Sequence, residues 1–249
     1  KPVSMLQAGV FQSNGANLRP ADRLASLADA IAGQHLDLVV CPELFMSGYN
    51  AGSDLHELAE PVDGPFAHSV AELARQTGTA VCYGYPERDG ETVYNSAMVV
   101  SGSGAALANH RKLAIPPGFE QDFFASGDQL TSFEIGGMKC ALVICYDVEF
   151  PETVRAACMS GAQVVIAPTA LGAQWDQVAH RVVPARAFEN GCYALYANHA
   201  GREGDITYAG ASCIFGPDGR DVARAGEGAQ LITATLQASR VAAARDRFP

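Results

Sequence analysis

Short runs of apolar and β-branched residues alternate along the chain with stretches that have the periodicity of amphipathic helices. The apolar runs predict strands over residues 3–8, 36–41, 80–85, 93–100, 105–109, 139–145, 163–167, 192–198, 211–215 and 230–235. The periodic stretches predict helices over residues 20–34, 65–77, 151–160, 175–189 and 238–245, several of which begin with proline. Pro184 lies inside the fourth of these helices, where proline removes a backbone donor, so we expect a kink or break there.

Strands that alternate with helices indicate an α/β fold, whereas the successive strands over residues 80–109 indicate hairpins within the same sheet system. We therefore expect sheets that lie between layers of helices. The chain contains neither an internal repeat nor a linker rich in Pro, Gly and Ser. A single domain over residues 1–249 is the simplest interpretation.

Composition and charge narrow the range of partners. Apolar residues make up 48% of the 249 residues and charged residues 18%, which is typical of a globular protein. The net charge of -10 opposes binding to nucleic acid, so we expect no nucleic-acid partner. The N-terminal residues have no signal-peptide pattern, and no apolar run approaches the roughly 20 residues that span a bilayer, so we expect no membrane association.

The cysteines and histidines indicate neither a disulfide framework nor a metal site. Seven cysteines occur, none in a C-x-x-C pair, and a reducing cytoplasm suits them. Most of them have apolar neighbours and are predicted to be buried thiols: Cys41, Cys82, Cys140, Cys158, Cys192 and Cys213. The histidines lack metal-ligand spacing, and no dinucleotide, P-loop or H-E-x-x-H motif occurs, so we expect no metal and no cofactor.

Candidate catalytic residues follow predicted strands, at positions where α/β folds build their sites. Glu43 follows the strand in LDLVVCPELFMSGYN, Lys112 follows the strand that precedes HRKL, and Cys145 ends the strand in ALVICYDVEFPE. Each residue alone fits a surface charge or a buried structural thiol better than a catalytic role. A rival pairing of Cys145 with His110 stays open, because strand alternation places His110 and Lys112 on the same face.

The three segments together resemble the nitrilase, or carbon-nitrogen hydrolase, superfamily, and the similarity continues downstream through VVIAPTA, ARAFENGCYALYANHAG and GASCIFGPDG. The segments YGYPERDG, YNS and ENGCY most resemble those of the branch that contains 5-aminopentanamidase and the aliphatic or R-selective amidases. The resemblance implies a four-layer α-β-β-α sandwich without a cofactor. It also implies a homodimer or larger assembly, with the helices after Cys145 and around Trp175 as candidate interface.

The resemblance also implies a role for each member of the site. Cys145 would be the nucleophile, and Glu43 would take its proton and return it to the leaving ammonia. Lys112 and the N–H group of Tyr146 would stabilise the oxyanion, and Glu120 would orient Lys112 or the substrate amide. Residues that follow the catalytic strands could line a substrate pocket, although each also fits ordinary packing: Tyr49, Tyr146, Phe124, Trp175 and Ala170.

We therefore expect an amidase that converts a small aliphatic or cyclic carboxamide to carboxylate and ammonia through a thioester. Nitrilase, N-carbamoyl amino acid hydrolase and ω-amidase activities use the same residues, and a non-catalytic binding protein on this fold is a further alternative. Arg181 or Arg186 could bind the carboxylate of an N-carbamoyl substrate, and Asp147 or Glu149 could bind an ammonium group or complement a helix dipole. His110 and Ala114 stand where the family often has an aromatic residue and a histidine, so the local pocket shape can differ.

Overall fold

A computed structural model describes residues 4–247. Its strands, in chain order, are β1 Met5–Asn14, β2 Leu38–Val40, β3 Ala80–Asp89, β4 Thr92–Val100, β5 Ala106–Arg111, β6 Thr131–Ile135, β7 Met138–Leu142, β8 Val164–Pro168, β9 Tyr193–Ala197, β10 His199–Ala200, β11 Arg202–Glu203, β12 Ile206–Thr207, β13 Cys213–Phe215, β14 Asp221–Arg224 and β15 Gln230–Gln237.

The α-helices are α1 Pro20–Ile31, α2 Asp54–Leu58, α3 Pro65–Thr77, α4 Phe119–Phe123, α5 Pro151–Met159, α6 Val183–Asn190 and α7 Ala238–Asp246. Short 3₁₀ helices occupy Cys145–Glu149 and Ala173–Trp175, and a π-helical turn occupies Val178–Val182. The predicted helix over residues 65–77 is confirmed at both ends. Pro65 starts it with a preset φ, and Gly78 ends it in a left-handed conformation with its N–H bonded to the Ala74 carbonyl.

Two sheets face each other. The first has seven strands in the order β10-β1-β2-β3-β4-β5, with β15 also paired to β1, and the second has six in the order β14-β13-β9-β8-β7-β6. Strands β1, β2 and β3 are parallel in the first sheet, as are β7, β8 and β9 in the second. The catalytic candidates therefore follow strands of two different sheets.

The alternation of side chains along the short parallel strands creates the layers. Leu38 and Val40 belong to the apolar cluster between the sheets, whereas Val39 belongs to the cluster that packs against α1 and α3. In the second sheet, Val164 faces the first sheet and Val165 faces α5 and α6. The four-layer α-β-β-α sandwich is thereby confirmed.

The structure corrects several predicted elements. Strands β6 and β14 and helices α2 and α4 were missed, and Val3 of the first predicted strand lies outside the described residues. The predicted strand over residues 139–145 ends at Leu142, and Cys145 begins a 3₁₀ helix instead. The helix predicted over residues 175–189 is only partly α-helical: a π-helical turn ends at Val182 and passes directly into α6. Pro184 is the second residue of α6, where its missing N–H costs little.

Among residues 4–247, no helix is both long and apolar enough to cross a membrane. All seven cysteines are free thiols. Cys158 is only partly buried, which corrects the prediction for that residue; it belongs to α5 and packs against the apolar cluster between that helix and the second sheet.

Candidate active site

Lys112 joins two buried carboxylates where the strand ends of the two sheets meet. Its Nζ atom lies 2.7 Å from Oε1 of Glu43 and 2.8 Å from Oε2 of Glu120. The exposed fractions are 0% for Glu43 and Lys112, 1% for Glu120 and 6% for Cys145. Such groups are stable out of water only when each charge has a partner, and the triplet provides those partners.

The Glu43 side chain is held at both oxygens. Asn95 Nδ2 donates to Oε1 at 2.7 Å and the Ala170 backbone N–H donates to Oε2 at 2.8 Å. The carbonyl oxygen of Glu43 lies 2.8 Å from Nε2 of the buried His199 ring. Asn95 and His199 were not predicted as site residues. The motif YNS contains Asn95, but it gave no reason to single out the Asn95 amide.

Glu120 is fixed by Tyr49, one of the predicted substrate-binding residues. The Tyr49 hydroxyl donates to Oε1 of Glu120 at 2.6 Å, and Asn95 Nδ2 lies 3.3 Å from Oε2. Glu120 belongs to the short helix α4, which begins after Gly118 in a left-handed conformation at φ 115°. Tyr49 therefore both orients a carboxylate and forms part of the cavity wall.

Burial and neighbouring charges together set the proton affinities in the site. Burial raises the pKa of Glu43 to about 7, although the Lys112 ammonium opposes this rise. Burial alone would lower the pKa of Lys112, but the charges of Glu43 and Glu120 raise it above its usual value. Burial and the charge of Glu43 hold the pKa of the Cys145 thiol well above its usual value. The thiol is therefore protonated at neutral pH, next to a carboxylate that can exist in either form.

Cys145 adopts a strained backbone conformation with φ at 44°, a region that non-glycine residues rarely occupy. Asp147 supports this turn. Its Oδ2 accepts the Ile144 N–H at 2.9 Å, and its Oδ1 accepts the N–H groups of Leu113 at 3.1 Å and Ala114 at 2.8 Å. The Asp147 carboxylate thus joins the segment after Lys112 to the turn that carries the thiol.

This arrangement corrects one prediction for Asp147 and bears on the rival role of His110. Asp147 is fully buried and its oxygens are engaged by backbone N–H groups, so it is unavailable to a substrate ammonium. The His110 ring nitrogens lie 3.3 Å from Thr131 Oγ1 and 3.4 Å from Asp147 Oδ2. The ring therefore faces these groups rather than the thiol of Cys145.

A cavity of about 230 Å³ opens over the thiol. It is lined by Tyr49, Pro116, Pro117, Glu120, Cys145, Tyr146, Glu149, Ala170, Leu171, Gly172, Gln174, Trp175 and Ile206. Four of the predicted substrate-binding residues are in this set. Phe124 is not in this set; it packs in an apolar cluster with Leu44, Leu55, Ala59 and Val93.

Comparison with known proteins agrees with this geometry. Residues 7–246 match the sequence model of the carbon-nitrogen hydrolase family. The chain belongs to the carbon-nitrogen hydrolase family. A hydrolase encoded in the pqqF 5' region of Pseudomonas protegens is 40% identical over 94% of this chain and 84% of its own length. An (R)-stereoselective amidase of Pseudomonas sp. is 35% identical, over 84% of this chain and 76% of its own length.

A solved structure with the same fold shows chemistry at its active-site cysteine. It is a mutant of the amidase of Nesterenkonia sp. AN1, with acrylamide added at that cysteine. It is 32% identical, covers 97% of each chain and superposes with a TM-score of 0.87. The protein described here is thus an enzyme of the nitrilase superfamily, a carbon-nitrogen hydrolase that acts on amides.

In this carbon-nitrogen hydrolase, the two candidate arginines do not line the cavity. Arg186 donates to the carbonyls of Val148 at 3.1 Å and Glu149 at 2.7 Å, so it supports the 3₁₀ helix after Cys145. Arg181 is exposed. Within residues 4–247, no group of three or more His, Cys, Asp or Glu side chains is arranged to hold a metal ion.

Proposed function

We propose that this enzyme hydrolyses small carboxamides to carboxylate and ammonia through a thioester on Cys145. The observation that carries the proposal is the position of the Cys145 thiol. It lines a small cavity and is electrostatically coupled to the Glu43–Lys112–Glu120 triplet. An amide is a poor electrophile, so a covalent intermediate that divides the reaction into two steps lowers the barrier.

In the first step, the sulfur of Cys145 attacks the amide carbonyl carbon as its proton passes to Glu43. Because the pKa of Glu43 is about 7, the carboxylate accepts this proton and can give it up again near neutral pH. The proton then passes to the amide nitrogen as the C–N bond breaks, and ammonia leaves. In the second step, Glu43 takes a proton from water and the resulting hydroxide attacks the thioester carbon. The C–S bond then breaks, Glu43 returns the proton to the sulfur, and the carboxylic acid leaves as the thiol is restored.

Lys112 and the backbone N–H of Tyr146 are proposed to stabilise the oxyanion. Lys112 stays charged because two carboxylates raise its pKa, and Tyr146 is in the first turn of a 3₁₀ helix, whose N–H groups have no intrahelical partner. Glu120 holds the lysine in place at two oxygens, 2.9 and 2.8 Å from Nζ. Glu120 thereby fixes the direction of the positive charge before substrate binds.

The charges around the cavity favour neutral carboxamides over N-carbamoyl amino acids. The latter carry a carboxylate, and neither Arg181 nor Arg186 lines the cavity, whereas the carboxylates of Glu120 and Glu149 do. Nitriles carry no carboxylate, so the acidic residues of the cavity do not disfavour them. They are therefore included in the substrate test.

Ammonia release from alkanamides, cyclic carboxamides, nitriles and N-carbamoyl amino acids tests the proposed function, with Cys145→Ala as the control. We expect turnover of small carboxamides by the wild type and none by the variant. Intact-mass spectrometry should detect an acyl adduct on the wild type that the variant lacks. A wild-type enzyme inactive on all carboxamides, or an active Cys145→Ala variant, would overturn the proposal.

We also propose that the enzyme is cytoplasmic and that it forms a homodimer or larger assembly through α5 and the helical segment around Trp175. Large apolar side chains are exposed there, with Met159 at 79% and Trp175 at 53%. Light scattering at micromolar concentration should give at least twice the mass of one chain, and a monomer alone would contradict the assembly.

A further inference from the structure

Glu149 is a charged residue of the cavity wall that the proposed hydrolysis does not use. It belongs to the 3₁₀ helix that begins at Cys145, and its side chain lines the same cavity as the thiol. Its carboxylate makes no hydrogen bond or ion pair with another residue of 4–247, in contrast to Glu43 and Glu120. Burial raises the pKa of this half-buried carboxylate, whereas the charges of Lys112 and Arg186 oppose the rise without an ion-pair contact. A ligand cation in contact with the carboxylate would supply the partner that it lacks.

The cations nearest to Glu149 are engaged elsewhere. Lys112 is bonded to Glu43 and Glu120, so the triplet carries a net negative charge when both carboxylates are ionised. Arg186 binds main-chain carbonyls and pairs with Glu189 at 3.1 Å. No lysine or arginine is among the residues that line the cavity. The charged side chains of the cavity wall, Glu120 and Glu149, are therefore both acidic, and such a wall favours a cationic ligand over an anionic one.

Two aromatic side chains reinforce this preference. Tyr146 and Trp175 line the cavity together with Glu149, and the Tyr146 ring is held edge-on by Phe150 at a centroid distance of 4.9 Å. The faces of aromatic rings attract ammonium groups, and Trp is the strongest of them. A carboxylate and two aromatic rings in the wall of one cavity form a combination that can bind an ammonium ion.

Resting on the proposed function, we infer that Glu149 forms an ammonium-binding subsite, and that the preferred substrates are carboxamides with an ammonium group on the carbon chain. The amide carbonyl lies at Cys145, and the ammonium group is bound by the Glu149 carboxylate. Neutral alkanamides are hydrolysed less efficiently because they leave this carboxylate unpaired. Glu149 is thus a specificity-determining residue, separate from the groups that form and break the thioester.

A series of ω-aminoalkanamides of increasing length tests the inference. Each is paired with the alkanamide in which a methyl group replaces the ammonium, so that size is matched and charge differs. For the best chain length, kcat/KM of the wild type should favour the ammonium substrate about tenfold, the effect of one charge-assisted contact at a half-exposed site. Glu149→Gln, which keeps the shape and removes the charge, should bring this ratio close to one.

Glu152→Gln is the matched control, because Glu152 is an exposed carboxylate in the first turn of the adjoining α5 and does not line the cavity. It should leave the ratio unchanged. A ratio near one in the wild type, a preserved ratio in Glu149→Gln, or an equal fall in Glu152→Gln overturns the inference. If the wild type hydrolyses neither member of any pair, the proposed function itself fails, which is a distinct result.

A second measurement needs no variant. A short alkylammonium ion should competitively inhibit hydrolysis of a neutral alkanamide by the wild type, whereas the alcohol of the same length should not. Equal inhibition by both compounds, or by neither, contradicts an ammonium subsite even where amidase activity is present.

Discussion

Asp147→Asn tests whether one buried carboxylate holds the two catalytic segments together. Its Oδ1 accepts two N–H groups from the segment after Lys112, and its Oδ2 accepts one from Ile144 before the nucleophile. Asparagine retains one acceptor oxygen and turns an NH₂ group toward the other N–H donors. Whichever way the amide is oriented, at least one charge-assisted hydrogen bond is lost and two donors face each other.

Each charge-assisted hydrogen bond contributes about 1.5–3 kcal/mol, so we expect the free energy of unfolding to fall by about 2–4 kcal/mol. A domain has about 5–15 kcal/mol in total, so the Asp147→Asn variant should still fold. Displacement of Cys145 relative to Lys112 should also lower kcat by about 10–100-fold, because catalysis depends on sub-ångström placement. KM should change less, since Asp147 does not line the cavity.

Urea unfolding gives the change in free energy, and ammonia release on one carboxamide gives kcat and KM. Asp176→Asn is the control, because Asp176 is exposed and its side chain makes no hydrogen bond within residues 4–247. The reasoning would be refuted by an Asp147→Asn variant whose free energy of unfolding is within about 0.5 kcal/mol of the wild type and whose kcat is unchanged. Equal losses in both variants would show that the loss of any one negative charge has this effect, and that the hydrogen bonds of Asp147 are not its cause.

Burial raises the pKa of Glu43 to about 7, and only the ionised carboxylate accepts the thiol proton, so kcat/KM should fall as pH drops below about 7. A profile measured from about pH 5 to pH 9 that stays flat contradicts this role. Tyr49→Phe removes the hydrogen bond to Glu120 and should lower kcat/KM about fivefold with unchanged circular dichroism; an unaltered rate would show that the contact is dispensable. Gly84→Ala would bring a Cβ atom within 2.3 Å of the Leu44 backbone nitrogen, so it should displace the Glu43 segment and lower kcat about 100-fold, and an active variant would contradict this.

The short buried strands and the residues after them could be found without coordinates. Alternation in LDLVV already assigns Leu38 and Val40 to one face of a sheet and Val39 to the other, since side chains alternate along any strand. The catalytic candidates were found because each follows such a strand and belongs to a specific sequence motif. Strand β14 was missed because its side chains are partly or fully exposed and have no apolar run.

Periodicity could not show that the helix predicted over residues 175–189 begins as a π-helical turn. A π-helical turn and the α-helix after it keep similar faces buried, so the apolar spacing continues through Val178–Val182 into α6. Phe124 was predicted to line the pocket because it follows one of the catalytic strands. At the end of a helix, successive side chains point in different directions. Phe124 packs in the apolar cluster around Leu44 instead.

The chain's local patterns were sufficient for the layered α/β fold and for the identity of the residues that carry the chemistry. The partners of those residues depended on the tertiary structure. Asn95 and Ala170 bind the two oxygens of Glu43 from 52 and 127 residues away, and Asp147 binds Ala114 from 33 residues away. Hydrogen bonds act over about 3 Å, and only the packing of two sheets face to face brings such distant backbone and side-chain groups that close.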